Sequence, residues 1–158
     1  FVTKLTQNGS KVSMFIDPDP VQLHAAKAMG AHITEFHTGR YVELCQAGED
    51  KLAALELGRI RECAEEAVLI GVEPQAGHGL TYDTVTPIAA IPQLTELNIG
   101  HFLIGEAVLV GLGAAVAQMR QLMDEARGGL SGLALTLAMF RGLRRKWSDL
   151  VRGLEGGC

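Results

Sequence analysis

Short apolar runs alternate along this chain with longer segments in which apolar residues recur at helical spacing. The runs predict strands at residues 12–16, 33–36, 72–76 and 94–99, the third of them weakened by Pro74. The longer segments predict helices at about 20–30, 50–70, 85–90, 102–110 and 114–127. Strand followed by helix, repeated along residues 1–127, predicts an α/β fold with a parallel sheet and helices packed outside it.

Several element boundaries carry recognisable signals. Asp19 can cap the first predicted helix, Pro20 can occupy its first turn, and Gly30 can end it. A polar loop is expected at residues 37–40, directly after the second strand. In the longest helix, one side is expected to face the core with the residues Leu52, Leu55, Ile60, Cys63 and Ala67.

Two architectures are compatible with four strand–helix units. One is half of a (β/α)8 TIM barrel, since a complete barrel needs about 250 residues and this chain has 158. The other is an open four-stranded sheet. In α/β folds the loops that follow the strands carry the chemistry. The last three predicted strands each end in a polar loop that contains Gly or His.

Composition excludes several classes of protein. Hydrophobic residues make up 47% and charged residues 20%, which is a globular balance rather than that of a disordered chain. A net charge of −4 and an aromatic content of 5% argue against a nucleic-acid partner. No apolar run is long enough to span a membrane. The three cysteines have no paired spacing, which favours a reducing, cytoplasmic location.

Charge is distributed unevenly and indicates a boundary near Gly128. Residues 1–127 carry 9 basic and 16 acidic side chains, whereas residues 128–158 carry 5 and 2. The second segment is therefore predicted to be a separate, basic, amphipathic helical tail that docks on the edge of the preceding sheet. A membrane-surface helix and an out-of-place translation product are the alternatives, and Gly132 and Gly142 weaken the helix that the former needs. The opening residues, beginning at Phe1 without Met, suggest a piece of a longer protein.

Candidate acid–base residues follow two of the predicted strands. Glu35 and His37 are two positions apart, so their side chains leave the same face of the second strand. A carboxylate that points into a barrel is costly without a partner, and a functional role would account for that cost. His78 stands between Gly77 and Gly79, where the glycines allow close approach of a ligand and the imidazole can move protons near neutral pH.

A candidate anion site follows the last strand. Gly100 and His101 begin a predicted short helix, and the free N–H groups of a first helical turn bind phosphate. Barrels often place a phosphate there. Glu35, His37, His78 and His101 also have the right chemistry for Zn²⁺ or Fe²⁺, but no paired ligand spacing supports a metal centre.

Five motifs occur in an order that closely resembles the C-terminal half of the pyridoxine 5′-phosphate synthase family. The resemblance covers about residues 10–127. The motifs are Phe15-Ile16-Asp17, Glu35-x-His37-Thr38-Gly39, Ala76-Gly77-His78-Gly79-Leu80, Ile88-Ala89-Ala90-Ile91-Pro92 and Glu96-Leu97-Asn98-Ile99-Gly100-His101. The Gly-His-Gly-Leu and Asn-Ile-Gly-His motifs are specific in combination.

The resemblance implies a (β/α)8 barrel, usually assembled as an octamer. It implies condensation of 3-amino-2-oxopropyl phosphate with 1-deoxy-D-xylulose 5-phosphate, which gives pyridoxine 5′-phosphate, phosphate and water without a metal or organic cofactor. His78 matches the proton-donating histidine of the family, and Glu35 matches a carboxylate that stabilises the transition state. Gly79, Gly100 and His101 match the positions that hold the phosphate of the aminoketone.

Three departures from the family pattern limit this expectation, and one of them is that the tail after Gly129 has no counterpart in the family. The family's first four strand–helix units, with another catalytic His and a catalytic Glu, have no match here, so the chain alone is not expected to catalyse the reaction. Pro74-Gln75 stands where the family usually has an apolar residue and Asn. A non-catalytic phosphate-binding or assembly subunit and a metal-dependent barrel enzyme are the alternative functions. The inward sides of residues 12–16, 33–36 and 94–99 are also expected to form an apolar patch on the open face of a half barrel. The chain is then expected to be a dimer or larger, to be covered by its own tail, or to be only marginally stable.

Overall fold

The computed structural model describes residues 1–128, which form a parallel sheet with helices along one face. The elements in chain order are α1 Val2–Gln7, β1 Ser13–Ile16, α2 Pro20–Ala28, β2 Ile33–His37, α3 Gly39–Gln46, α4 Asp50–Leu69, β3 Glu73–Gly77, α5 Val85–Ala89, β4 Leu97–Asn98, α6 His101–Val110 and α7 Leu112–Ala126. None of these helices combines the length and apolarity that a membrane span requires. The tail predicted at 128–158 lies outside the described residues except for Gly128.

The strands pair in chain order, β1-β2-β3-β4, and every pairing is parallel. In the register, Glu35 lies between Phe15 and Gln75, and Gly77 lies between His37 and Asn98. A doubly wound open sheet reverses its strand order at a switch point, and the described strands do not. The sequential order is that of a partial (β/α)8 barrel, which confirms the predicted fold class.

The local signals around α2 are confirmed. Asp19 caps this helix with its carboxylate, which accepts the N–H of Val21 at 2.7 Å, and Pro20 occupies the first turn. Gly30 follows the helix with a φ of +88°, a backbone conformation in which an L side chain would be strained. Because Asp19 caps α2, Pro20 fixes φ in its first turn and Gly30 ends it, this helix forms without a long apolar face.

The buried face of α4 differs from the one predicted. Leu52 and Leu55 are 47% and 68% exposed, so their assignment to the core was wrong. Ala53 and Glu56 are buried in their place, one residue further along. The predicted burial of Ile60, Cys63 and Ala67 is confirmed, and Ala64 is buried beside them. Glu56 is tolerated there because Arg59 donates a hydrogen bond to its carboxylate at 2.8 Å.

Helix α3 begins within the polar loop that was expected at residues 37–40 after β2. It begins at Gly39, so only Thr38 separates it from the strand, and it buries Tyr41 and Val42 against α4. Charged residues such as Arg40 and Glu43 made this segment resemble a loop. They lie on the outer side of an amphipathic helix, and the prediction of a loop here was wrong.

Strand β4 is shorter than predicted, with Leu97–Asn98 paired rather than residues 94–99. Because β4 begins only at Leu97, Pro74 is tolerated in β3, which lies between β2 and β4 in the sheet. The N–H groups of Ala76 and His78 donate to carbonyls on the β4 side, and the same alternation directs position 74 towards the carbonyl of Leu94. Pro74 has no N–H to donate, and the Arg127 guanidinium donates to that carbonyl at 2.5 Å instead.

The two faces of the sheet differ in polarity. Thr34 and Phe36 are fully buried under the helices, and the alternate positions of the strands point to the opposite, inner face. The side chains of that inner face are Ser13, Phe15, Ile33, Glu35, His37, Glu73 and Gln75. The inner face is therefore mostly polar, and the expected apolar patch on the strands was wrong. Exposed apolar side chains lie instead on α6, at Ile104, Val108, Leu109 and Val110.

Candidate active site

The C-terminal ends of the strands surround one cavity of about 560 Å³. Of the residues singled out from the sequence, Glu35, His78, Gly79, Gly100 and His101 line it, and His37 does not. The lining residues are Phe15, Glu35, Gln46, His78, Gly79, Thr81, Asn98, Gly100, His101 and Phe102. Residues that lie 66 positions apart in the sequence, Glu35 and His101, thus face the same space. The cavity joins a carboxyl group, two imidazoles and the start of a helix.

The loop after β3 holds His78 in an unusual backbone conformation. His78 has a φ of +83°, the only positive φ at a non-glycine position in the described residues, and Gly79 follows with +81°. The Thr38 hydroxyl lies 2.7 Å from the carbonyl oxygen of Gly77 and 2.6 Å from that of His78. The Thr38 N–H also donates to Gly77 at 2.8 Å. Strain of this kind persists where the surrounding contacts enforce it, as at functional sites.

The Glu35 side chain lies directly over Gly77. Any side chain at position 77 would collide with it. A Cβ added at Gly77 would meet the Glu35 carboxylate, and it would also lie 2.8 Å from the backbone oxygen of Asn98. Gly77 thus provides the space that the carboxyl group occupies. The glycine before His78 is required for Glu35 rather than for the flexibility of the loop.

The surroundings of Glu35 favour its protonated form. Burial raises the pKa of the Glu35 carboxyl above its ordinary value of 4.5, and the Glu96 carboxylate adds to the rise. A hydrogen bond from the Asn98 side chain and the nearby rings of His78 and His37 lower that pKa in part. A carboxyl group whose pKa is raised by burial in a cavity is a typical feature of functional sites.

A chain of side-chain hydrogen bonds crosses the inner face behind Glu35. The Asn98 amide donates to Gln75 at 3.3 Å, and the Gln75 amide donates to Glu73 at 3.5 Å. Thr95 completes the chain with a 3.0 Å hydrogen bond to the same Glu73 carboxylate. Sequence reasoning assigned no role to Asn98 or Gln75. Alternation along the strand could have placed Gln75 on the inward face, because it lies two positions before Gly77. Its pairing with Glu35 became visible only in the structure.

The first turn of α6 also lines the cavity. Gly100 is the N-cap of this ten-residue helix, and no side chain of the described residues caps its N–H groups. A Cβ at Gly100 would meet no described atom within 4 Å, so the space in front of the turn is open. Free N–H groups and the positive end of the helix dipole face the cavity beside His101, an arrangement that binds anions.

In the part of the chain that the structure describes, the remaining histidines and the two cysteines, Cys45 and Cys63, do not line this cavity. His24 lies on the surface with its Nε2 2.6 Å from Glu66, and His32 is exposed. Cys63 is buried, and burial raises the pKa of its thiol to about 11. Within residues 1–128, no three His, Cys, Asp or Glu side chains come together as metal ligands.

Comparison with known proteins identifies the relatives of this chain. Residues 1–125 match the family model described as pyridoxal phosphate biosynthesis protein PdxJ. The chain belongs to the PdxJ family. A pyridoxine 5′-phosphate synthase of Rhodospirillum rubrum is 52% identical over 131 residues, which are 82% of this chain and 51% of that protein. The synthase of Caulobacter vibrioides is 50% identical over 83% of this chain and 52% of its own length. That of Zymomonas mobilis is 52% identical over 80% and 48%.

Membership of the PdxJ family confirms the resemblance on which the sequence interpretation depended. The relatives named above are pyridoxine 5′-phosphate synthases, and the family assignment agrees with the parallel sheet of strand–helix units. The chain spans about half the length of the curated relatives it matches. The activity of a complete synthase is therefore a proposal for this chain, and so are the roles of its residues.

The raised pKa of Glu35 predicts how folding stability depends on pH. Because the folded state holds the proton more tightly than the unfolded state, stability should fall as pH rises from about 4.5 through the folded-state pKa. Because glutamine has no proton to lose, Glu35→Gln should be more stable than the wild type above the folded-state pKa of Glu35. Below about pH 4.5 the two proteins should be equally stable. Urea midpoints across a pH series measure the difference. Glu62→Gln, on the exposed face of α4, is the control, and a pH-independent effect of Glu35→Gln would contradict the prediction.

Proposed function

We propose that this chain carries the aminoketone-phosphate half of a pyridoxine 5′-phosphate synthase site. The reaction is a transferase-type condensation and ring closure of 3-amino-2-oxopropyl phosphate with 1-deoxy-D-xylulose 5-phosphate, releasing phosphate and water. His78 donates a proton, and Glu35 stabilises the charge that develops in the transition state. Gly79, Gly100 and His101 hold the phosphate of the aminoketone.

One observation carries the proposal. The uncapped first turn of α6 opens into the same cavity as His78 and Glu35. A small molecule whose phosphate binds at this turn can therefore also contact the His78 imidazole and the Glu35 carboxyl group. N–H groups at a helix start suit a phosphate, which carries negative charge. Loss of water during condensation needs a proton donor, and an imidazole on a constrained loop is suited to that step.

Glu35 supports the same chemistry from its place in the wall of the cavity. An amine that condenses with a carbonyl passes through positively charged nitrogen species, which a nearby carboxylate stabilises. Asn98 and the space left by Gly77 keep the Glu35 carboxyl at the wall of the cavity. The partial burial that raises its pKa also reduces the solvent screening of its interaction with a developing charge.

The remaining parts of the proposal concern partners. The second substrate would be held mainly by the half of the barrel that this chain does not match, and no metal or organic cofactor is required. We further propose a homo-oligomer that works in the cytoplasm. The exposed apolar side chains of α6, Ile104, Val108 and Leu109, support association with another protein surface better than the polar inner face does.

Phosphate binding is expected even without turnover, and Gly100→Val tests it. The φ of Gly100 is −109°, which other residues adopt, and the space around it is open, so the variant should fold normally. Its branched side chain would occupy the approach to the first turn of α6 and weaken binding of the aminoketone phosphate by on the order of tenfold. NMR titration of the labelled chain measures this affinity and the shifts at Gly79, Gly100 and His101.

Gly105→Val is the matched control, because Gly105 lies in the same helix with open space around it and outside the cavity. It should bind like the wild type. A folded wild-type chain whose signals at Gly79, Gly100 and His101 do not move would refute the proposed phosphate site. Binding without turnover after addition of the missing half of the barrel would instead favour a phosphate-binding or assembly subunit.

A further inference from the structure

His37 lies against the proposed proton donor but does not line the main cavity. The rings of His37 and His78 are stacked, with centroids 4.7 Å apart and planes inclined by 24°. His37 faces instead a small neighbouring cleft of about 160 Å³ that it shares with Asp17, Arg40 and Arg59. A side chain that contacts the acid without facing the substrate space is placed to orient the acid.

His37 is itself fixed on two sides. Its Nδ1 accepts the backbone N–H of Gly39 at 3.3 Å, so the neutral ring carries its proton on Nε2. A Cβ at Gly39 would collide with the imidazole, so the absence of a side chain there is what allows the ring to lie where it does. Phe15 packs edge-on against the ring, with centroids 5.1 Å apart.

His78, in contrast, stands on a loop and has no hydrogen bond from its ring to any described residue. Phe15 lies further away from it, at 6.3 Å and tilted by 50°. The stack on His37 is therefore the closest ring contact that restricts rotation of the His78 imidazole. Proton transfer depends on geometry, because a donor turned away from its target loses most of its rate advantage.

We propose that His37 is a positioning residue, which holds the His78 imidazole in the orientation needed for proton transfer. This inference rests on the proposed role of His78. The stack needs a flat ring at position 37, whereas the hydrogen bond from Gly39 needs only an acceptor. These two requirements can be separated by substitution, because Phe keeps the ring and Asn keeps an acceptor near the position of Nδ1.

The first experiment follows the ring signals of His78 by NMR in the full chain with labelled histidines. A stacked ring shifts the protons of its neighbour upfield, so the wild type and His37→Phe should both show one sharp, upfield-shifted set of His78 signals. In His37→Leu and His37→Asn, these signals should move downfield and broaden as the ring samples several rotamers. His32→Leu, at an exposed position, is the control and should leave His78 unchanged.

The His101 and Gly100 signals in the same spectra show whether each variant is folded. If His37→Leu does not fold, His37→Asn provides the test. Unchanged His78 signals in a folded His37→Leu or His37→Asn variant would overturn the inference. So would loss of the upfield shift in His37→Phe. Neither outcome involves turnover, so this test can fail while the proposed function stands.

The second experiment measures turnover after addition of the N-terminal half of the Rhodospirillum rubrum relative. His37→Leu should lower kcat by on the order of 100-fold with little change in KM for the aminoketone phosphate, and His37→Phe should recover most of that loss. Equal losses in His37→Phe and His37→Leu would overturn the inference, since they would make the imidazole itself a reacting group. Full activity in His78→Gly would refute the proposed function instead, whatever the NMR result.

Discussion

Replacing His78 with glycine should reduce pyridoxine 5′-phosphate formation by about 100-fold to 10,000-fold, the range expected for loss of a general acid. Glycine is the informative substitution because His78 has a φ of +83°. A side chain in this conformation costs roughly 1–2 kcal/mol, so the variant should be as stable as the wild type or more stable. Loss of activity could then not be attributed to unfolding.

The measurement needs the other half of the barrel. The 158-residue chain by itself should form no pyridoxine 5′-phosphate, and adding the N-terminal half of the Rhodospirillum rubrum relative should restore some activity. His78→Gly should remove what is restored, while the exposed His32→Ala variant should retain it. Turnover by the unaided chain, or an active His78→Gly variant, would show that the catalytic assignment is wrong.

Replacing Gly77 with alanine should destabilise the site and lower activity together. The new methyl group would overlap the Glu35 carboxylate and lie 2.8–2.9 Å from backbone and side-chain atoms of Asn98, closer than real Cβ contacts. Overpacking of this kind costs roughly 1–3 kcal/mol, and it should also turn Glu35 away from the cavity. Urea unfolding measures the stability, and the complemented reaction measures the activity.

Gly58→Ala is the matched control, because Gly58 lies within α4 and a Cβ there would meet nothing within 4 Å. That variant should gain about 0.5–1 kcal/mol, since alanine is the better helix former. A double variant, Gly77→Ala with Glu35→Ala, should recover part of the lost stability by removing one partner of the overlap. Independent, additive effects of the two changes would contradict the proposed contact between them.

Much of the fold was predictable because its signals are local. Asp19, Pro20 and Gly30 satisfy or stop backbone hydrogen bonding within their own turn, so they mark α2 wherever it packs. Apolar runs bounded by turn residues predicted the strands that form the sheet, and their alternation with helices predicted its parallel order. The exposed Leu52 and Leu55 show the limit of this reasoning, because helical spacing alone does not decide which of two adjacent stripes faces the core.

The candidate site was likewise only partly predictable from the sequence. Glu35 was singled out as an inward-pointing carboxylate near the end of a strand. The loops after the next two strands, with their glycines, singled out His78, Gly79, Gly100 and His101, and parallel strands end at one edge of the sheet. The family resemblance then suggested a role for each. Gln75 and Asn98 were missed because a polar residue within a strand has no meaning until its register neighbour is known.

The sequence by itself determined the four strands, most of the helices and which edge of the sheet carries the chemistry, because these properties depend on neighbours along the chain. It did not predict α1 or α3. Only the tertiary structure decided the polarity of the inner face, the space that Gly77 leaves for Glu35, and the stack of His37 on His78. Each of these is a contact between residues on different elements. Its energy depends on distances of a few ångströms that no local pattern specifies.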